Sequence, residues 1–172
     1  MHTIILYETK VTIHIPWKKM KQTILFIAKL IFTYALCGGL YLLIEIFWRG
    51  RTDLTMFFLA GFLGLFAMFF NNIFSYETDY IVQVFSVSII TTFFEGLFGN
   101  LYNLDYAIWD YRNLPLSLWN DQINLIFFLF WNIIVAIAIP ILDYIDWKLF
   151  KYKPDTPPYY KICEKIIFQF KG

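Results

Sequence analysis

The sequence predicts an all-α, polytopic membrane protein with four transmembrane helices, an aromatic outer loop and short cytoplasmic tails. Three observations lead there. The 172 residues are 59% hydrophobic and 22% aromatic, with only 16% charged, whereas a soluble domain carries roughly 25% charged and 45–50% apolar residues. Four stretches are long enough to cross about 30 Å of hydrocarbon at about 1.5 Å per helical residue. Lysines crowd both ends of the chain and avoid the loops between. The apolar runs do not alternate, which excludes the strands of an outer-membrane barrel.

Residues 1–22 read as a cytoplasmic N-terminal tail. Val11-Thr12-Ile13-His14-Ile15 alternates as a small strand would, and Trp17-Lys18-Lys19 marks a membrane interface. Residues 1–10 lack a basic start followed by a long apolar run, so no cleavable signal peptide is expected. The membrane domain covers residues 23–147. Its first span, about 24–48, carries Lys29 near its start and Glu45 near its end. Lys29 is close enough to the inner face to snorkel back to it. The second span, about 54–75, is uncharged. The third, about 81–100, is interrupted by Glu95, and the fourth, about 123–142, is uncharged with Pro140 near its end. Residues 148–172 read as a cytoplasmic C-terminal tail. After Pro154, Pro157 and Pro158 it sets Ile162, Ile166, Ile167 and Phe170 against Lys161, Lys165 and Lys171. That spacing predicts a short amphipathic helix on the inner leaflet.

Orientation follows from the lysines. Four precede the first span and six follow the fourth, while the outer loops hold only Arg49, Arg51 and Arg112. Both termini are therefore expected in the cytoplasm of a cell-membrane protein. Gly38, Gly39, Gly61, Gly64 and Gly99 fall on stripes of small residues, the pattern helices use to pack in lipid. Cys37 and Cys163 are far apart, and no disulfide is expected.

Glu45 and Glu95 need a separate reason, because a carboxylate in hydrocarbon costs several kcal/mol. Glu45 and Arg49 are four residues apart and share one helix face. The orientation places Glu45, Arg49, Arg51, Glu95, Asp110 and Arg112 at a similar depth, and one outer polar cluster is expected. Glu45, Arg49, Glu95, Asp110 and Arg112 are its candidate substrate- or ion-binding residues. The loop 101–122 carries Tyr102, Tyr106, Trp109, Tyr111 and Trp119. It reads either as an interfacial aromatic belt or as a lid over the cluster.

The chain has no glycine-rich phosphate loop of the G-x-x-x-x-G-K-[ST] kind, so ATP hydrolysis is not its own. His2 and His14 lie in the N-terminal tail, away from the acids, and no Cys/His cluster has metal-ligand spacing. No Ser–His pair points to a hydrolase. No enzyme activity, cofactor or metal is expected. The net charge of +1 gives no reason to expect a nucleic-acid partner.

Several motifs occur in order between Gly38 and Trp147: Gly38-Gly39-x-Tyr41-x-x-x-Glu45-x-x-x-Arg49-Gly50, then Thr52, Met56 and Gly61, Glu95-x-x-x-Gly99, and Trp109-Asp110-Tyr111-x-Asn113-Leu114-Pro115. Gln122-Ile123 and Trp131 follow. Together they resemble the ABC-transporter type IV permeases, a CmpB-like family of small four-helix membrane proteins common in Firmicutes. The chain departs from the family's usual pattern at Asp53-Leu54, where a His-Trp pair is usual, at Asn120-Asp121, and at Arg112. The resemblance implies a bacterial permease subunit that works with an ATP-binding cassette ATPase and as a homo-oligomer in the lipid bilayer. The residues alone leave a second class open: a sensor, an immunity or stress factor, or an assembly partner, in which the polar cluster is structural.

Overall fold

The structure is a computed structural model that describes residues 17–73, 75–150 and 156–171, without the side chains of Lys18 and residues 70–73. It is mostly helical, with four helices in chain order: α1 (Trp17–Arg49), α2 (Leu54–Ile73), α3 (Tyr80–Tyr102) and α4 (Leu125–Lys148). Three of them, α1, α3 and α4, are long and apolar enough to cross a membrane; α2 contributes a shorter apolar segment, Leu54–Phe69. The alternating pattern over residues 11–15 lies outside the described residues.

Helix ends depart from the sequence reading for local reasons. α1 is already helical at Trp17, because no breaker separates the lysine-rich approach from the apolar run. α2 starts where the Asp53 carboxylate accepts from the Thr55 amide at 2.8 Å and the Thr55 hydroxyl at 2.6 Å. Such a contact satisfies an amide at a helix start, and these hydrogen bonds hold the Asp53 carboxyl below its ordinary range. α3 is capped by Asp79, whose side chain accepts from the Ile81 amide. α4 is capped by Asn124, which accepts from the Ile126 amide at 2.8 Å. α4 then continues past residue 142 to Lys148, which brings Asp143 and Asp146 into the helix.

α1 packs on α2 through close approaches at glycine. A Cβ at Gly38 would lie 2.6 Å from the Phe57 carbonyl oxygen and 2.7 Å from its ring. A Cβ at Gly61 would lie 2.9 Å from the Tyr34 ring, and one at Gly64 would overlap the Cys37 side chain. Gly99 is crowded in the same way by Gln122 of the loop, whereas Gly39 has nothing within 4 Å. Because a backbone atom opposes Gly38, alanine there cannot be absorbed by a side-chain rotation. Gly38→Ala is expected to lower stability by about 1–3 kcal/mol, read as a lower unfolding temperature in detergent; Gly39→Ala is the neutral control.

Two apolar clusters fill the bundle. One joins Ala67, Val84, Val87, Val135, Ile139 and Leu142 to Tyr160 of the C-terminal segment. The other joins Met56, Leu59 and Leu63 of α2 to Ile108, Trp109 and Tyr111 of the loop after α3. The loop therefore caps one end of the bundle, the lid end. It is pinned by Asn103, which is fully buried. Asn103 Nδ2 donates to the Trp109 carbonyl at 2.7 Å and to Gln122 Oε1 at 3.0 Å, while its Oδ1 accepts from the Ile108 amide at 2.9 Å. Trp109 Nε1 donates to the Gln122 carbonyl at 3.1 Å. A short antiparallel pair, β1 (Ser117–Leu118) with β2 (Ile123–Asn124), closes the loop.

The C-terminal segment differs from expectation. Instead of an amphipathic helix it forms an antiparallel hairpin, β3 (Tyr159–Ile162) with β4 (Lys165–Gln169). The segment is rich in β-branched and aromatic residues, which favour a pleated surface. The two-residue turn Cys163-Glu164 has φ of 47° and 66°, the left-handed geometry that matches strand twist in tight hairpins. The Cys163 amide donates to Asp79 Oδ2 at 2.7 Å, tying the turn to the start of α3. Tyr160, 1% exposed, donates its hydroxyl to Asp143 Oδ2 at 2.6 Å. The hairpin is thus fastened to the end of the bundle opposite the lid.

The exposed Glu77 adds a pH-sensitive fastening. It accepts from Lys161 Nζ and the Tyr159 hydroxyl, and these hydrogen bonds, that of Lys161 foremost, hold its carboxyl below the ordinary value of 4.5. A depressed carboxyl stabilises the folded form above the unfolded value, and that contribution is lost as pH falls through the folded one. The protection factors of residues 159–169, exchange corrected for the intrinsic rate at each pH, are expected to fall as pH drops below the ordinary carboxyl value of 4.5, and Glu77→Gln should flatten that dependence.

Candidate functional site

At the lid end the last turn of α1 presents Glu45 and Arg49 on one face. Arg49 Nη2 donates to Glu45 Oε1 at 2.7 Å, and the Thr52 hydroxyl donates to Glu45 Oε2 at 2.5 Å. Arg49 Nη1 reaches across to the lid and donates to the Ile108 carbonyl at 2.5 Å. The buried carboxylate is thus neutralised on its own helix and hydrogen-bonded on both oxygens, as a charge out of water requires. The Arg49 Nε is buried without a partner.

Glu95 projects from α3 about two turns before its end and is 3% exposed. Its two oxygens accept from the Tyr111 hydroxyl and from Trp131 Nε1, both at 2.9 Å. Tyr111 comes from the lid and stacks on Phe127 at 4.7 Å; Trp131 comes from α4 and stacks on Tyr41 of α1 at 5.4 Å. One acid therefore ties α3 to α4 and to the lid. Burial raises the Tyr111 phenol above its ordinary range, and the nearby Glu95 charge adds to the shift, so the phenol stays a donor.

Asp110 and Arg112 form a third group. Arg112 Nη2 donates to Asp110 Oδ2 at 2.7 Å and Nε to Oδ1 at 2.9 Å, and its guanidinium lies 4.3 Å over the Tyr106 ring. Both residues are exposed. The Arg112 side chain, more than its backbone amide, draws the Asp110 carboxyl down to about 2. The five candidate residues thus share the lid end of the bundle but fall into three hydrogen-bonded groups rather than one cluster. The reason is local: each arginine finds its acid two or four residues away.

Two cavities lie between α1 and α4. The larger, about 420 Å³, is lined by Glu45, Arg49, Arg51, Trp109, Asp110 and Tyr111 with apolar residues of α4. The second, about 200 Å³, has apolar walls that include Cys37, Leu40, Gly64, Val135, Ala138 and Leu142. Tyr41, Ile44 and Ile134 line both. No family model, curated protein or solved structure matches this chain.

The hairpin end carries two acids that the sequence reading did not single out, Asp143 and Asp146, together with Lys29, which it did. Lys29 is 6% exposed and does not snorkel; its Nζ donates to Asp146 Oδ2 at 2.5 Å. Asp143, one turn earlier on α4, is buried against Tyr160. The signal available was the pair Asp143 and Asp146 directly following an apolar run, a spacing that places both on one helix face. Among the described residues, no three His, Cys, Asp or Glu side chains converge as a metal site would need.

Proposed function

We propose that the chain is a multi-pass protein of the cell membrane, with all four helices embedded, both termini cytoplasmic and the lid outside. The apolar, exposed sides of α1, α3 and α4 support embedding. Leu129, Ile133 and Ile137 of α4 are 62%, 58% and 59% exposed in one stripe, a surface that water would not tolerate and lipid would. The lysine-rich ends support the orientation. Within that setting the protein acts as the permease subunit of a transporter. The observation that carries this reading is the Glu45–Arg49 pair on the wall of a 420 Å³ cavity between two helices; ionisable groups in a membrane commonly line substrate or ion paths. The motif resemblance to ABC-transporter type IV permeases points the same way. A four-helix subunit without a nucleotide-binding loop then needs an ATPase partner and self-association.

One observation favours a second reading. Both oxygens of Glu45 and both oxygens of Glu95 accept hydrogen bonds from the protein itself. A non-transport membrane protein, a sensor, an immunity or stress factor or an assembly partner, would use the acids to hold its helices together. Affinity purification from native membranes separates the two. Recovery of an ATP-binding cassette ATPase supports the permease subunit; recovery of a signalling or envelope protein without any ATPase overturns it.

A further inference from the structure

α1 and α4 meet near their ends and, between these, at the Tyr41–Trp131 ring stack. Arg49 of α1 bonds the lid at one end, and Lys29 of α1 bonds Asp146 of α4 at the other. Between them the 420 Å³ and 200 Å³ cavities follow one another along the α1/α4 seam and share Tyr41, Ile44 and Ile134. The seam is therefore one long slot with two chemistries. Its inner stretch is lined by aliphatic side chains and would accept an acyl chain. Its outer stretch brings in charge.

That charge has a sign. Glu45 is matched by Arg49, and Asp110 by Arg112. Arg51 also lines the outer cavity, is exposed, and among the described residues has no acid within ion-pair distance. With Glu45 and Asp110 taken by Arg49 and Arg112, the lining charge left to meet a ligand at the slot's outer mouth is the Arg51 guanidinium. Arginine's planar fork is suited to phosphate oxygens.

We propose that the α1/α4 slot binds an anionic phospholipid of the surrounding bilayer, its phosphate at Arg51 and one acyl chain along Leu40, Val135 and Ala138. The proposal rests on the membrane embedding argued above and not on transport. Aromatic side chains at the mouth, Trp48 and Trp109 among them, sit where indole rings favour the headgroup level. The lipid would fill the space that neither helix fills, on either side of the Tyr41–Trp131 stack.

Native mass spectrometry of the detergent-purified full chain tests this, with phosphatidylglycerol and phosphatidylcholine added in equal amounts. One bound phosphatidylglycerol per chain is expected, retained over phosphatidylcholine by about tenfold, a difference of about 1.4 kcal/mol. Arg51→Gln, at an exposed position, should erase most of that preference. Ala138→Phe should lower retention of both lipids by blocking the apolar stretch. Equal retention of the two lipids, or retention indifferent to both substitutions, overturns the proposal. So does efficient disulfide formation between two copies of an Ala138→Cys variant carrying Cys37→Ser and Cys163→Ser, which would give the slot to a second copy. An absent ATPase partner leaves the lipid result unaffected, so failure of the permease reading and failure of this one are distinguishable. A chain extracted from membranes by alkaline carbonate would instead refute the embedding beneath both.

Discussion

Glu95→Ala is expected to lower stability by roughly 2–6 kcal/mol and to free the lid. The magnitude follows from what the carboxylate holds. The Tyr111 hydroxyl and the Trp131 indole N–H both end on Glu95, and both residues are buried, at 7% exposed each. Removing the acceptor strands two donors at about 1–3 kcal/mol each. Water cannot readily replace it, because the site is closed by the Tyr41–Trp131 and Tyr111–Phe127 ring stacks. Glu95→Gln keeps one oxygen but turns an amide NH₂ toward the other donor, so about half the loss is expected. Tyr111→Phe removes one donor and leaves the acid partnered by Trp131, with a smaller effect again, about 1–3 kcal/mol. Unfolding in detergent gives the order of the three variants, and protease cleavage within residues 103–124 reports lid release. If Glu95→Ala unfolds at the wild-type temperature and its lid resists protease, Glu95 is not the tie between lid and bundle.

The hydropathy pattern revealed the helices because burial in lipid and burial in a core both require apolar residues, and the chain has long runs of them. It also revealed Glu45, Arg49 and Glu95, since an acid in such a run is conspicuous. What it could not reveal is which partner each acid takes. Glu95 looked like a neighbour of Glu45, yet its partners are Tyr111, sixteen residues on, and Trp131, thirty-six residues on. Both are aromatic donors that a charge-pairing argument passes over. Asn103 was invisible for the same reason: its role depends on the Gln122 side chain and the Trp109 carbonyl, which only the folded loop brings together. Asp110 and Arg112 illustrate the opposite error. Depth alone grouped them with Glu45, but a two-residue separation in a turn lets them satisfy each other at the surface. The hairpin was misread because Ile162, Ile166 and Ile167 fit a helical spacing as well as a strand. The turn at Cys163-Glu164 decides it, and nothing in that dipeptide resembles the usual Asn-Gly signal.

Lys29→Met is expected to be the second most damaging substitution, at about 3–5 kcal/mol. It leaves Asp146 buried, 7% exposed, without the ammonium that donates to it at 2.5 Å. The size reflects an uncompensated charge rather than the worth of the pair, since the two ions were both taken out of water to make it. The double variant Lys29→Met, Asp146→Leu removes charge from both helices and keeps the volume apolar. It should therefore recover most of the stability, to within about 1–2 kcal/mol of the wild type or above it, as replaced buried pairs do. A double-mutant cycle then gives a coupling of at least about 2 kcal/mol between α1 and α4. The cycle also separates two uses of the pair. If it only fastens the helices, the stable double variant keeps whatever activity the protein has, and the hairpin stays docked through Tyr160 and Asp143. If the variant is stably folded and inactive, charge at that end of the bundle is part of the work itself. Wild-type stability in the single Lys29→Met variant would mean that Asp146 finds another partner without cost, and the pair would not be what closes this end of the α1/α4 seam.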